Sequence, residues 1–194
     1  MSAVSFNVIR AESEFLIPGG IDRSEDYGPK WNEPEEFQGF VAKDMDGWIK
    51  DFDYVEVVLF NYKEDEDKRL VESGKLHKGI VRDFTKRLSD EEVTLLSKAV
   101  TGKHPSGVGG FCGFRPHHGF IFYGEDNEIL GHIEICFLCS DYFYFPRQGL
   151  SWAWDLGAVG TLITRLGLPN LKNDKEWADF FSNEGSKKSN KMLR

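Results

Sequence analysis

The sequence predicts an α+β fold with a mainly antiparallel sheet. Three observations carry this expectation. Strand-length apolar runs rich in β-branched and aromatic residues occur at 54–60, 119–123 and 129–137. Two segments, 89–101 and 154–166, show helical patterning between start and stop signals. The strands and helices follow one another without the βαβ rhythm of a parallel sheet.

The elements follow in chain order. Residues 4–10 read as a first strand. Residues 17–40 are rich in turn formers, around Pro18-Gly19-Gly20, Tyr27-Gly28-Pro29 and Glu33-Pro34-Glu35. A connection of that length is unusual in a compact domain and points to function or mobility. Trp31 and Phe37 are the side chains expected to pin it to the body, and they are candidate partner contacts. Tyr54 to Phe60 is the clearest strand. Seven charged residues follow, Lys63 to Arg69, expected as a solvated turn or helix face; within them Glu64, Asp65, Glu66 and Asp67 are candidate partner contacts. Residues 79–84 read as a second, edge strand.

The helix over 89–101 is well specified. Ser89 is a good N-cap and Glu92, three residues on, completes a capping box. Asp90 and Glu91 suit the positive end of the helix dipole. Val93, Leu96 and Val100 form one apolar stripe, and Gly102 can end the helix. Residues 101–113 are loop. Their glycines do not match a phosphate-binding loop, since no G-x-x-x-x-G-K-[ST] string is present.

A hairpin follows, over 119–137, with Gly124 to Glu128 as its connection. A two-residue turn at Asp126-Asn127 fixes its register. Phe122 then faces Gly131, Phe120 faces Ile133 and His118 faces Ile135, all on the core side. The other side pairs Ile121 with His132, Gly119 with Glu134, and His117 with Cys136. Cys139, in an unbroken strand, would point away from Cys136, towards Phe114 and Cys112. A second helix runs over 154–166, where Leu156, Val159, Ile163 and Leu166 share a face and Gly167 and Pro169 stop it. A short terminal helix starts at Asn173, capped by Glu176, with Trp177, Phe180 and Phe181 as its apolar face.

All three cysteines and three of the five histidines fall between residues 112 and 139. The string Cys112-Gly-Phe-Arg-Pro116-His117-His118-Gly119, then an apolar strand, a turn and Ile135-Cys136-Phe137-Leu138-Cys139, resembles an uncharacterised family of small bacterial proteins. In that family the proline is often followed by Arg-His, so this chain departs at His117. The stretch Leu162 to Pro169, ending Leu-Gly-Leu-Pro, is similar to the same family, and the likeness spans roughly residues 88–169. The resemblance implies no activity.

Three readings compete for this cluster. In the first, the cysteines are small buried hydrophobes and the histidines are satisfied by hydrogen bonds. In the second, Cys112, Cys136, Cys139 and either His117 or His118 hold zinc, although the Phe-Leu interior of the C-x-x-C pair has strand character rather than the tight turn of a zinc knuckle. In the third, His117 opposite Cys136 activates a thiolate, or Cys112 and Cys139 form a reversible disulfide. No oxyanion hole or orienting third group is recognisable, so the chain reads as non-catalytic and free of cofactors, with zinc as the alternative.

Charge narrows the partner. The chain carries 24 Lys+Arg against 32 Asp+Glu, a formal net charge of −8. Its last eight residues hold four basic groups and no acid, so residues 1–186 carry 20 basic against 32 acidic groups, a net −12. We therefore expect one domain over 1–186 and a basic, disordered tail over 187–194. An acidic body repels phosphate backbones, which argues against nucleic acid. No apolar run is long enough to span a membrane. The first residues lack the basic and apolar regions of a signal peptide, and three cysteines suit a reducing cytoplasm. The expectation is an acidic cytoplasmic binding protein that neutralises a basic protein partner, in the manner of a toxin-immunity protein. The alternative is a zinc or thiol-redox protein that uses the 112–139 cluster.

Overall fold

The computed structural model describes residues 48–101, 113–150 and 153–192, with side chains described as far as residue 183. The expected first strand at 4–10, Trp31, Phe37 and Cys112 lie outside the described residues.

The fold is α+β. The strands are β1 (Tyr54–Leu59), β2 (Val71–Glu72), β3 (Lys75–Leu76), β4 (Lys86–Arg87), β5 (His118–Tyr123), β6 (Ile129–Cys136) and β7 (Asp141–Phe145). The helices are α1 (Asp90–Thr101), α2 (Leu156–Arg165) and α3 (Asp174–Met192). Five strands make one antiparallel sheet in the order β4-β1-β5-β6-β7, and β2 and β3 pair separately. Among the described residues no helix is long and apolar enough to cross a membrane.

The hairpin register follows from its turn. Asp126 and Asn127 both take positive φ, 57° and 62°, and the Glu128 amide donates to the Glu125 carbonyl at 3.1 Å. Two left-handed central residues match the twist of the flanking strands. His118 pairs with Ile135, Gly119 with Glu134, Phe120 with Ile133, Ile121 with His132 and Phe122 with Gly131, as the sequence predicts. An irregularity between Phe122 and Tyr123 then shifts the ladder so that Tyr123 meets Ile129.

Alternation along each strand builds two layers of core. One face of the sheet presents Val55, Val57, Leu59, Phe120, Phe122, Ile133 and Ile135 to the main cluster, which α1, α2 and Trp177 of α3 complete. The other face presents Val58, Phe60, Ile121 and Tyr123, and these pack with Leu70 from the connection after β1. Gly119 makes this second layer possible. A Cβ there would stand 2.2 Å from Leu70 Cδ2 and 2.9 Å from the Ile133 carbonyl oxygen. Leu70 therefore seats against bare backbone, and Glu134 Oε1 accepts its amide at 3.0 Å. Glu134 is buried, and Arg69 reaches its Oε2 at 3.5 Å while lying over the Phe143 ring. His132 Nε2 stands 3.2 Å from Glu134 Oε1, so a buried His–Glu pair, reached by the exposed Arg69, ties this connection to β6.

The caps are as the sequence sets them. Glu92 Oε2 accepts the Ser89 amide at 2.7 Å and Ser89 Oγ accepts the Glu92 amide at 3.3 Å, a reciprocal capping box. Asp155 caps α2 through the Ala158 amide at 2.8 Å. At the other end of α2, Gly167 takes φ +72°, its amide reaches Thr164 O and the Leu168 amide reaches Ile163 O. These two bonds are a Schellman stop. Asn173 Oδ1 accepts the Glu176 amide at 2.9 Å and starts α3; at 19 residues, through Met192, it is not the short helix expected, and it carries helix into the stretch expected as a disordered tail.

Two local expectations are corrected here, and a third feature was not expected at all. Residues 79–84 do not form an edge strand. Ile80 makes one isolated bridge to Phe60, and the chain then winds into a 3-10 turn at Arg82–Phe84. The place beside β1 is taken by β4, which pairs Lys86 with Val57 and Arg87 with Glu56. The Cys136–Cys139 stretch does not continue the strand. The Cys139 amide donates to the Cys136 carbonyl at 3.2 Å and Ser140 takes φ 50°, which folds the chain back into β7. The third concerns β7, an aromatic strand that the sequence does not announce. Its Tyr142 ring stacks on Trp154 at 3.7 Å between centroids.

Candidate functional site

The two adjacent histidines end up in different surroundings. His118 opens β5 on the core side and is buried. Its Nε2 donates to the Pro169 carbonyl at 2.8 Å, just past the Schellman stop of α2. Burial pushes its pKa down to about 3, against an opposing pull from that carbonyl. It is a neutral, structural histidine. His77 is likewise buried and satisfied. Its Nδ1 accepts the Gly79 amide at 3.0 Å, which places the proton on Nε2, and Nε2 donates to the Asp65 carbonyl at 3.0 Å.

His117 differs from both, and shares with the buried His132 ring nitrogens that lack a partner in full hydrogen-bond geometry. His117 is 5% exposed, and among the described residues neither ring nitrogen has a partner in full hydrogen-bond geometry, although the Phe60 backbone approaches closely enough to favour the protonated ring. Its ring stacks on Trp177 of α3, 4.2 Å between centroids at 29°, and Tyr62 and Phe181 tilt against it at 5.5 Å. Burial lowers its pKa to about 4. The Phe60 backbone and then the Asp174 carboxylate oppose that shift, while Lys63 and Arg115 reinforce it. Near neutral pH the ring is an uncharged imidazole with one donor and one bare acceptor.

The ring faces a cavity of about 230 Å³ between the 3-10 turn Tyr62–Asp65 and the first two turns of α3. Tyr62, Trp177 and Phe181 supply its apolar walls; Glu64, Asp174 and Lys63 supply its charge. Asp174 is ion-paired with Arg115. Asn61 builds the turn: its side-chain oxygen accepts the Lys63 amide at 3.3 Å, and its Nδ2 donates to Glu64 Oε1 at 3.3 Å.

The predicted residues are thus partly brought together. Glu64, Glu66 and Asp67 are exposed beside this cavity, and Asp65 pairs with Lys78 at 3.5 Å. His117 belongs to the cavity and His118 does not. Cys136 is a buried free thiol whose pKa burial raises, with backbone bonds at Arg115 and Cys139 pulling the other way. A thiolate–imidazolium pair needs the thiol lowered and the imidazole raised; Cys136 and His117 move in the opposite directions. Cys139 is disulfide-bonded, so it offers no thiolate while that bond holds. Among the described residues no three His, Cys, Asp or Glu groups cluster as a metal site, and the proposed ligand Cys112 lies outside them.

Sequence reasoning missed Tyr62, Asn61, Ser182 and the Trp177–His117 stack. The apolar pair Trp177 and Phe181, one helical turn apart, was the available signal. Compared with known proteins, the chain matches no family model, no curated protein and no solved structure.

Proposed function

We propose that this chain is a non-catalytic, acidic binding protein that recognises a basic protein partner, as an immunity-like neutralising protein would; the Cys139 disulfide does not support the reducing cytoplasm that the cysteine count suggests. The observation that carries this reading is the exposed acidic turn at Glu64, Glu66 and Asp67, set beside a cavity lined by aromatic side chains. A net charge of −8 supplies long-range attraction for a basic surface. Aromatic side chains in a recessed slot supply the short-range anchor that electrostatics alone does not.

The test is binding of a labelled arginine-rich peptide, followed by fluorescence anisotropy at two ionic strengths. Affinity should fall at least about tenfold between about 0.05 and about 0.3 M salt, because exposed charges are screened over that range. No binding at low salt, or binding indifferent to salt, contradicts the reading.

A further inference from the structure

The cavity at His117 has a feature that its packing does not explain. A side chain that is 95% removed from solvent normally has its polar atoms satisfied. Among the described residues neither nitrogen of His117 has a partner in full hydrogen-bond geometry; the Phe60 backbone approaches the ring, which leaves at least one nitrogen bare, and the residue lines the cavity. Leaving a buried polar group unpaired costs about 1–3 kcal/mol, so a ligand that satisfies it gains that interaction on binding.

The size of the space limits the occupant. About 230 Å³ is smaller than the roughly 300–1,000 Å³ of sites that hold drug-sized molecules or cofactors. It suits one side chain of a larger partner. The walls limit it further. Trp177, Phe181 and Tyr62 offer aromatic surface, which favours a cation. Among the described residues Glu64 offers a carboxylate not paired with a basic side chain, whereas Asp174 is neutralised by Arg115. Lys63 is, among the described residues, the one cation in the lining, and it is exposed. The uncharged His117 ring offers a bare nitrogen to an N–H donor and does not repel a positive group. An anion would meet Glu64 and Asp174 and a chain of net charge −8.

We propose that this cavity is an anchor slot for an arginine side chain of the basic partner: the guanidinium packs against the aromatic lining, pairs with Glu64, and donates an N–H to His117. A guanidinium fits better than an ammonium because it is planar, weakly hydrated and carries several donors in one plane. The proposal rests on the reading above that the partner is basic, and its test separates the two.

Arginine-rich and lysine-rich peptides of equal length are titrated into the full chain, with the ring nitrogen signals of His117 followed by NMR. The arginine peptide should shift the His117 signals, and the lysine peptide should leave them in place. His117→Phe keeps the aromatic surface but removes both nitrogens, and Glu64→Gln removes the charge. Each should weaken the arginine peptide by about five- to tenfold, one hydrogen bond or ion pair's worth. If His117→Phe fails to fold, the signals of the unaltered protein and the exposed Glu64→Gln variant decide alone. Peptide binding that leaves the His117 signals unmoved shows water alone in the slot and overturns this proposal while the basic-partner reading stands. Equal His117 shifts with both peptides overturn the guanidinium assignment. No binding of either peptide overturns both.

Discussion

Lowering the pH from about 7 to about 5 should destabilise the protein by about 4 kcal/mol through His117 and His118 alone. Both rings have folded-state pKa values below the ordinary 6.5, at about 4 and about 3, because burial penalises the imidazolium. As pH falls below 6.5, the unfolded chain takes up protons on these rings and the folded chain does not. The unfolded state is therefore favoured, and stability falls from about pH 6.5 downward until each folded pKa is reached. At about pH 5 each ring accounts for a loss of about 2 kcal/mol relative to pH 7. Urea unfolding monitored by tryptophan fluorescence at three or four pH values in this window measures the slope. His118→Gln keeps an amide donor for the Pro169 carbonyl but cannot titrate, so it should remove about half of the slope whatever its effect on stability at pH 7. A variant that loses as much stability as the parent over this range would refute the argument that His118 is held neutral by burial.

Three further outcomes are expected. Ile133 is fully buried between Phe120 and the helices, so Ile133→Asp should abolish the cooperative thermal transition; even Ile133→Ala should cost about 2–5 kcal/mol in urea melts. Gly119→Ala places a Cβ against Leu70 and the Ile133 carbonyl, and should cost about 1–3 kcal/mol, with Leu70→Ala in the same chain relieving part of the overlap. Cys136 should alkylate slowly in the native protein, and the protein unfolded without reductant should show fewer thiols than its three cysteines, all three appearing after reduction. A full count before reduction would contradict the Cys139 disulfide.

Much of the fold was legible because local signals and burial agree. Ser89 and Glu92 specify a capping box, Gly167 a helix stop, and Asp126-Asn127 a turn whose positive φ angles set every hairpin pair up to Phe122. What was not legible depends on distant chain segments. Residues 79–84 have strand composition, yet the position beside β1 goes to Lys86 and Arg87. β7 becomes a strand because β6 offers it a partner and Trp154 covers it, neither of which its own five residues reveal. The site was half legible. The register places His117 at the mouth of the hairpin, but nothing near it in sequence shows that Trp177, sixty residues on, will stack on its ring. The cysteine cluster suggested chemistry by spacing. Its described members are separated by what surrounds them: Cys136 is buried and protonated, His118 is bonded to Pro169, and Cys139 is in a disulfide.

The central claim is that the face around residues 61–67 and α3, rather than the chain's overall acidity, recognises a basic partner. It is tested most directly by removing the same number of charges at two places. Glu64→Gln, Glu66→Gln and Asp67→Asn together neutralise the acidic turn beside the cavity. Glu125→Gln, Asp126→Asn and Glu128→Gln neutralise the exposed hairpin turn at the far end of β5. Both triple variants have the same net charge, so a general field weakens an arginine-rich peptide equally in each. The account predicts a loss of about tenfold or more in affinity for the first variant and less than about threefold for the second. Equal losses in the two variants would contradict it.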